Sequence, residues 1–166
     1  MSVTVRPARP GDGAGMTRAW LSAAEYYTGL DSGLFRVPAA EGQAEDFEDW
    51  LRQGRDGALL LAAELGGRVV GWLSARIEPP HPAAASQLVR ELGWTRLAID
   101  ALVVDRAAWR HGAGTALLTA AEAWGREHGA EVARLDTYAG SPVSVPFYEN
   151  RMGYQRRAIV FQKRLT

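Results

Sequence analysis

Cysteine is absent from the 166 residues of this chain, which excludes disulfides, thiolate metal sites and a cysteine acyl-enzyme. Neither sign of charge is in excess, because 19 Lys and Arg residues balance 19 Asp and Glu residues. A chain with no net positive charge lacks the overall field that holds a protein on nucleic acid or on an anionic membrane. These absences favour a protein that binds a small ligand, and they are compatible with a monomer or a homodimer.

Long apolar runs are also missing, and none approaches the roughly 18 residues that a membrane span needs. The opening residues MSVTVRPARPGDG contain no apolar segment of the kind found in a secretory signal. We therefore expect a single cytoplasmic domain over residues 1–166, with no nucleic-acid or membrane partner. Without cysteine or an H-E-x-x-H pattern, no metal site is expected.

The spacing of apolar residues predicts a mixed α/β architecture in the order β-α-α-β-β-β-α-β-α-β. The expected strands occupy residues 3–8, 57–65, 68–77, 95–105, 131–138 and 155–165. The expected helices lie within residues 10–27, 41–54, 112–129 and 141–153. Asp12 is the expected N-cap of the first helix, and Gly66-Gly67 predicts a tight hairpin turn.

The stretch VVDRAAWRHGAGTALL, residues 103–118, leads from an apolar strand pattern through two glycines directly into a helix pattern. Glycine costs about 1 kcal/mol in a helix interior relative to alanine, so Gly112 and Gly114 need an explanation. An ordinary strand-to-helix turn is one. A dinucleotide site is another, although Leu117 replaces its third glycine while Asp136 stands about 20 residues downstream. A pyrophosphate cradle is the third, because a helix start without Cβ atoms offers free N–H groups and a positive dipole end.

The stretch IDALVVDRAAWRHGAGTALL resembles the phosphate motif of the GNAT superfamily of acyl-CoA-dependent N-acetyltransferases, Q/R-x-x-G-x-G/A after a strand. Three further segments resemble the same superfamily in the same order: VTVRPARPGDGAGM, LLLAAELGGRVVGWLSA and FYENRMGYQRR. The resemblance covers nearly the whole chain and implies the GNAT fold. Two residues depart from the family pattern. Trp109 occupies the Gln/Arg position of the motif, and Ser141 stands where relatives often have an asparagine that reaches the coenzyme.

This resemblance implies an N-acetyltransferase that uses acetyl-CoA as co-substrate and acts on a primary amine of a small molecule or a protein. Direct attack in a ternary complex is the implied route, and the absence of cysteine agrees with it. The implied pantetheine contacts are the backbone groups of Leu102, Val103 and Val104. The implied pyrophosphate contacts are Arg110, His111, Gly112, Ala113, Gly114 and Thr115, with Ser141 as a further coenzyme contact. An acyltransferase for longer acyl-CoA and a non-catalytic acyl-CoA sensor stay open as alternatives.

Tyr148 in PFYENRMGY matches, by the same resemblance, the tyrosine that donates a proton to the departing thiolate. The alternative is a core tyrosine with a wet hydroxyl. For the acceptor, the resemblance places Tyr26 and Tyr27 at the wall of the binding site, and at least one of the two rings is expected to serve packing.

Asp100 interrupts the apolar strand pattern LAIDALVV. Burial among apolar neighbours would raise its pKa into a range useful for a base. We therefore predict that Asp100 is the general base or the anchor for the incoming ammonium. The alternatives are an ion pair with a neighbour such as Arg96, an exposed strand position, or a chain of water molecules in place of a fixed base.

Overall fold

A computed structural model of the chain describes residues 2–54 and 56–165. Its internal contacts divide the chain into two units, Met1–Asp136 and Thr137–Thr166. The described part of the first unit contains a five-stranded sheet with three long helices, and that of the second contains short helical turns. The expectation of a single domain over residues 1–166 stays a prediction.

The strands of the first unit are β1 (Val3–Pro7), β2 (Ala58–Leu65), β3 (Arg68–Glu78), β4 (Arg96–Val104) and β5 (Val132–Arg134). Its helices are α1 (Gly13–Leu30), α2 (Gln43–Gln53) and α3 (Ala113–Glu127). In the second unit, the short helix α4 (Ser144–Pro146) continues into a π-helical turn over Phe147–Arg151. The first nine predicted elements are therefore confirmed in type and order. None of the helices in the described residues combines the length and the apolar character that crossing a membrane requires.

The sheet has the order β1-β2-β3-β4-β5, with antiparallel pairing from β1 to β4 and parallel pairing between β4 and β5. The predicted hairpin turn joins β2 to β3. Gly66 and Gly67 have φ angles of 59° and 74°, the left-handed values that a two-residue hairpin turn requires. The mixed α/β fold class predicted from the sequence is confirmed.

Two sets of apolar side chains cover this sheet. One cluster joins α1 to the centre of the sheet through Met16, Ala19, Trp72 and Val103. The apolar face predicted for α2 packs against this cluster with Phe47, Trp50 and Leu51. α3 contacts β1 to β4 and contributes buried side chains, including Leu117, Leu118 and Ala121. The helices α1 and α3 therefore pack on the sheet around β4, which fixes the end of β4 and the start of α3.

Asp12 precedes α1 as predicted, but its side chain does not cap the helix. Its carboxylate instead accepts from the guanidinium of Arg6 on β1, with both N–O distances at 2.8 Å. The amides at the start of α1 meet Glu48 of α2, whose carboxylate accepts from Gly11 and Gly13 at 2.7–3.0 Å. A residue distant in sequence therefore takes the capping role predicted for Asp12.

Residues 155–165 form no strand in the structure, so the sixth predicted strand is wrong. A strand needs a neighbouring strand for its backbone hydrogen bonds, and these residues pair with no described strand. The side chains of Ile159, Val160 and Phe161 are exposed. The strand predicted over 131–138 is also shorter than expected, because only Val132–Arg134 pairs with β4.

Candidate active site

β4 is interrupted by a bulge at Asp100, and its two halves have different neighbours. On the β3 side the register shifts between Ser74 and Ala75, which leaves Asp100 without an opposite residue. On the other side β5 pairs only with Arg96–Ala98. Among the residues that the structure describes, no strand covers the remaining edge of β4. The second half of β4 therefore presents an open backbone edge in the part of the chain that leads to α3.

The backbone groups beyond the bulge point alternately to the two edges of β4. The Val103 carbonyl lies on the β3 side, where a Cβ on Gly71 would come within 2.7 Å of it. The Asp105 N–H points to the same side and donates to the Val70 carbonyl at 2.8 Å. Val103 therefore uses its backbone within the sheet, and its side chain is buried in the core cluster.

Val104 faces the open edge. Its carbonyl accepts from the indole N–H of Trp109 at 2.9 Å. Leu102 has the same direction as Val104, because successive residues of a strand alternate. Of the three residues predicted to contact pantetheine, Leu102 and Val104 thus present their backbone at the open edge, and Val103 does not.

The glycine loop, residues 105–112, connects β4 to α3. It contains a 3₁₀ turn over Arg106–Ala108 and enters the helix at Gly112. Gly112 has a φ of 86°, a left-handed conformation that glycine adopts without strain. Arg110 has a φ of 66°, and it is the one non-glycine residue with a positive φ in the described chain. The side chains of Arg110 and His111 are exposed, and His111 Nδ1 lies 3.0 Å from the Trp109 carbonyl.

The first amides of α3 have no acceptor among the described residues. They belong to Gly112, Ala113, Gly114 and Thr115, and the first helical bond runs from the Ala116 N–H to the Gly112 carbonyl at 2.9 Å. Free N–H groups at the positive end of a helix dipole form a binding site for an anion. The glycine loop therefore has the geometry that a pyrophosphate site requires, and its use of that geometry stays a prediction.

Three residues of α1, spaced four apart on one helix face, contact the glycine loop. They are Arg18, Ser22 and Tyr26. Their partners in the loop are Asp105, Arg106 and Trp109. None of these pairs was predicted from the sequence, although the spacing of four is a signal that could have indicated a common target for the α1 residues.

Asp100 is exposed, with 42% of its side-chain surface accessible, and its carboxylate forms an ion pair with Arg76 of β3. The expected burial is therefore wrong, and the argument for a raised pKa loses its basis. The bulge explains the difference, because the extra residue does not follow the regular alternation of a strand. The expected partner Arg96 is buried and pairs instead with Glu78 at 3.3 Å. A role for Asp100 in proton transfer or amine binding stays a prediction.

Tyr26 and Tyr27 contact each other edge-on, with 5.2 Å between their ring centroids. Tyr26 also meets Trp109 at 4.9 Å, and Tyr27 meets Phe35 at 5.1 Å. Both rings therefore take part in packing, as expected for at least one of them. Their contact with an acceptor stays a prediction. The described residues contain no group of three or more His, Asp or Glu side chains placed to hold a metal ion.

In the second unit, Tyr148 lies in the π-helical turn that follows α4. Its ring lies between those of Phe147 and Tyr154, at centroid distances of 5.2 and 6.0 Å. Such turns are rare and recur at functional sites. Ser141 is buried, and its Oγ accepts from the Ser144 N–H at 3.0 Å, at the start of α4. The predicted roles of Tyr148 and Ser141 stay predictions.

Solved structures with the same fold cover almost the whole chain. An acetyltransferase from Trypanosoma brucei is 24% identical with a TM-score of 0.60, covering 99% of both chains. A transcriptional regulator from Bacillus halodurans is 21% identical with a TM-score of 0.69, covering 98% of this chain and 99% of its own. AAC(6′)-Iy in complex with the bisubstrate analogue CoA-S-monomethyl-acetylneamine is 17% identical with a TM-score of 0.62, covering 99% and 100%. No curated protein gives a significant match.

The chain also matches the model of a known protein family. The model of the Acetyltransferase (GNAT) family matches residues 20–154. That range includes the open edge of β4, the glycine loop and the π-helical turn, and it covers most of the chain. The dinucleotide alternative for the two glycines is thereby removed. The chain belongs to the GNAT family of acetyltransferases and is an acyltransferase.

Proposed function

We propose that the protein transfers the acetyl group of acetyl-CoA to a primary amine by direct attack in a ternary complex. The observation that carries the proposal is the open edge of β4 followed directly by the free amides of α3. An open strand edge suits an extended chain that bears amide groups. A helix start with free N–H groups suits a diphosphate. Coenzyme A has both parts joined in one molecule.

We propose Leu102 and Val104 as the pantetheine contacts, because their backbone groups lie at the open edge. Since the Val104 carbonyl already accepts from Trp109, the Val104 N–H is the more available of its two backbone groups. Strand N–H groups on either side of Val103 polarise the thioester carbonyl, which increases its reactivity toward an amine. The amides from Arg110 to Thr115 hold the pyrophosphate, and Ser141 is a further proposed coenzyme contact.

The transfer needs two proton movements. The amine must lose a proton to become a nucleophile, after which its nitrogen bonds to the thioester carbon. The carbon–sulfur bond then breaks, and the departing thiolate takes up a proton. We assign the second movement to the hydroxyl of Tyr148. Asp100 holds the ammonium or accepts its proton.

The acceptor is proposed only as a primary amine, in a small molecule or a protein, and Tyr26 and Tyr27 are its proposed wall. The cytoplasmic location also stays a prediction. Acetyl-CoA is favoured over longer acyl-CoA by the family, and a non-catalytic acyl-CoA sensor is the alternative from another functional class. The experiment also tests the sensor alternative, because the Bacillus halodurans protein with the same fold is described as a transcriptional regulator.

The decisive experiment mixes the purified protein with acetyl-CoA, butyryl-CoA or hexanoyl-CoA and an amine panel, and follows thiol release. The panel contains neamine, spermidine, free amino acids and a lysine-containing peptide; neamine is included because AAC(6′)-Iy was solved with an acetylneamine analogue. We expect amine-dependent thiol release with acetyl-CoA and an acetylated product in the mass spectrum. Binding of acetyl-CoA without turnover on any amine would favour the sensor, and absence of binding would refute both functions.

A further inference from the structure

We propose that Trp109 is a positioning residue that fastens the glycine loop to the end of β4 and to α1, at the place where the GNAT phosphate motif carries Gln or Arg. The proposal rests on the proposed function, because the glycine loop is taken to bind the pyrophosphate of acetyl-CoA. It goes further by assigning the shape of that loop to a side chain that departs from the motif, and to three contacts on one face of α1.

The indole of Trp109 is held at two points. Its N–H donates to the Val104 carbonyl at 2.9 Å, which ties the loop to the last residue of β4. Its ring meets the ring of Tyr26 on α1 edge-on, with centroids 4.9 Å apart and planes at 82°. The indole has a single N–H, and that group is engaged. Trp109 therefore acts on a phosphate through the loop backbone, because it has no donor left for direct contact.

Arg106 adds a second connection to α1. Its guanidinium carbon lies 5.8 Å from the ring centroids of both Tyr26 and Trp109, within the range of cation–π attraction. Its backbone N–H donates to Ser22 Oγ at 3.0 Å. One residue of the loop thus contacts α1 through both its main chain and its side chain.

Asp105 holds the beginning of the loop. Its carboxylate accepts from the Ala107 N–H at 3.1 Å and lies 3.8 Å from the guanidinium of Arg18. Its N–H donates to the Val70 carbonyl of β3 at 2.8 Å. The loop is therefore fixed at Asp105, at Arg106 and at Trp109 before the chain reaches its glycines.

These contacts explain the backbone at Arg110. A non-glycine residue with a φ of 66° is held in a disfavoured region, which persists only where the surrounding structure determines it. Trp109 directly precedes Arg110, and Gly112 with its φ of 86° follows two residues later. Fixing Trp109 therefore pre-forms the turn that presents the α3 amides, so less order has to be imposed when an anion binds.

The test uses Trp109→Phe, which keeps an aromatic ring against Tyr26 but removes the indole N–H. Ser22→Ala removes the acceptor for the Arg106 N–H and tests the same loop from α1. The matched control is Trp94→Phe, a half-buried tryptophan just before the opposite end of β4. Two readouts are needed: amide hydrogen exchange of residues 106–112 in the free protein, and calorimetric affinity for CoA and for pantetheine, which lacks the pyrophosphate.

We expect Trp109→Phe to speed exchange in the loop and to raise the Kd for CoA about fivefold to tenfold, the effect of one lost hydrogen bond. Its Kd for pantetheine should stay within about twofold of the parent, because the pyrophosphate contacts are the ones that the loop provides. Ser22→Ala should change exchange and CoA affinity in the same direction by about twofold to threefold. Trp94→Phe should change neither measurement.

Unchanged loop exchange in Trp109→Phe would overturn the proposal, and so would equal losses of affinity for CoA and pantetheine, which would mark a general structural role. If Trp109→Phe does not fold, Ser22→Ala decides by the same two measurements. If the parent binds neither CoA nor pantetheine, the proposed function fails. The positioning role of Trp109 is then decided by the loop exchange alone.

Discussion

α1 and α3 begin in the same unit with the same backbone feature, a set of amides that have no helical acceptor, yet the protein treats them differently. At the start of α1, Glu48 of α2 places its carboxylate on the amides of Gly11 and Gly13 at 2.7–3.0 Å. At the start of α3, no described residue accepts from the amides of Gly112 to Thr115. The protein supplies its own anion to α1 and leaves the start of α3 open.

The difference indicates that a helix start stays open to an outside anion only where no neighbouring element provides an acid. α2 follows α1 in the chain and packs against it, which brings Glu48 within reach. The glycine loop before α3 instead carries the cations Arg106 and Arg110, and its acid Asp105 is engaged by Ala107 and Arg18. No described carboxylate is therefore placed on the α3 amides, whereas the α1 amides are bound by Glu48.

The largest expected effect comes from filling the open helix start. Gly114 and Ala14 are the second residues of α3 and α1, so Gly114→Leu and Ala14→Leu form a matched pair. We expect Gly114→Leu to raise the Kd for CoA at least about 100-fold, equal to the loss of two hydrogen bonds to a charged group. Ala14→Leu should leave that Kd within about twofold, because the α1 amides already have their anion.

Calorimetry gives both Kd values, and a thermal melt confirms that each variant is folded. Gly114→Leu replaces a helix-disfavouring residue, so its folding should not suffer. A folded Gly114→Leu variant with the parent affinity for CoA would show that the α3 amides do not bind CoA. The starts of α1 and α3 would then differ only in packing.

The next effect separates chemistry from binding. Tyr148→Phe removes the proposed proton donor but keeps the ring between Phe147 and Tyr154. General acid catalysis contributes about 10²- to 10⁴-fold, and a thiol with a pKa near 8.5 is a passable leaving group, so we expect about a 100-fold loss of kcat. CoA affinity and folding should stay unchanged.

The pH profile provides a second measurement for Tyr148. A phenol with an ordinary pKa near 10 must be protonated to donate, so the parent rate should fall on the alkaline side and that limb should flatten in the variant. Pre-steady-state kinetics establish that chemistry limits the rate. A Phe variant with the parent kcat under those conditions would make Tyr148 a packing residue.

A smaller effect is expected at the bulge. Asp100→Asn removes a charge at nearly constant volume and should lower kcat/KM for the amine about threefold to fivefold, the order of one lost exposed charge contact, with CoA affinity unchanged. Arg76→Gln is the matched control, because it breaks the same ion pair and leaves the carboxylate. Equal losses in both variants would assign the effect to the ion pair itself, and full activity of Asp100→Asn across pH 6–9 would end both proposed roles.

Local sequence signals predicted the start of α3 well, because a helix start depends mainly on the residues around it. Gly112 and the beginning of α3 lie where the pattern placed them. Asp100 was predicted as buried because a regular strand was assumed, and a bulge depends on the register with β3, which a single strand does not encode.

Contacts between distant segments explain the other misses. Glu48 lies 37 residues from Gly11, and Asp12 was expected to cap α1 because it stands at the right place in sequence. The carboxylate of Asp12 is taken by Arg6, a residue of β1. The strand predicted over 155–165 failed for the same kind of reason, since a strand forms only with a partner that its own residues do not specify.

The smallest expected effect tests the other side of the comparison, the anion that the protein supplies to α1. Hydrogen bonds from the Gly11 and Gly13 amides lower the pKa of Glu48 below its ordinary value of 4.5, against a small opposing effect of burial. A carboxylate whose pKa is lower in the folded state stabilises the fold above its unfolded pKa, and that stabilisation is lost as the pH falls through the folded pKa. Glu48→Gln should therefore be slightly less stable than the parent at pH 7, and the difference should shrink between about pH 5 and pH 3.

Urea unfolding at a series of pH values measures this difference. Glu45→Gln, a change to an exposed residue of the same helix, is the control and should follow the parent curve. CoA affinity of Glu48→Gln at pH 7 should equal that of the parent, because the amides it releases are those of α1 and not those of α3. Parallel acid limbs for the parent and Glu48→Gln would show that the carboxylate contributes no charge interaction at the α1 start. In that case the two helix starts would differ only in how accessible their amides are. The free amides at the start of α3 would then not by themselves indicate a ligand site.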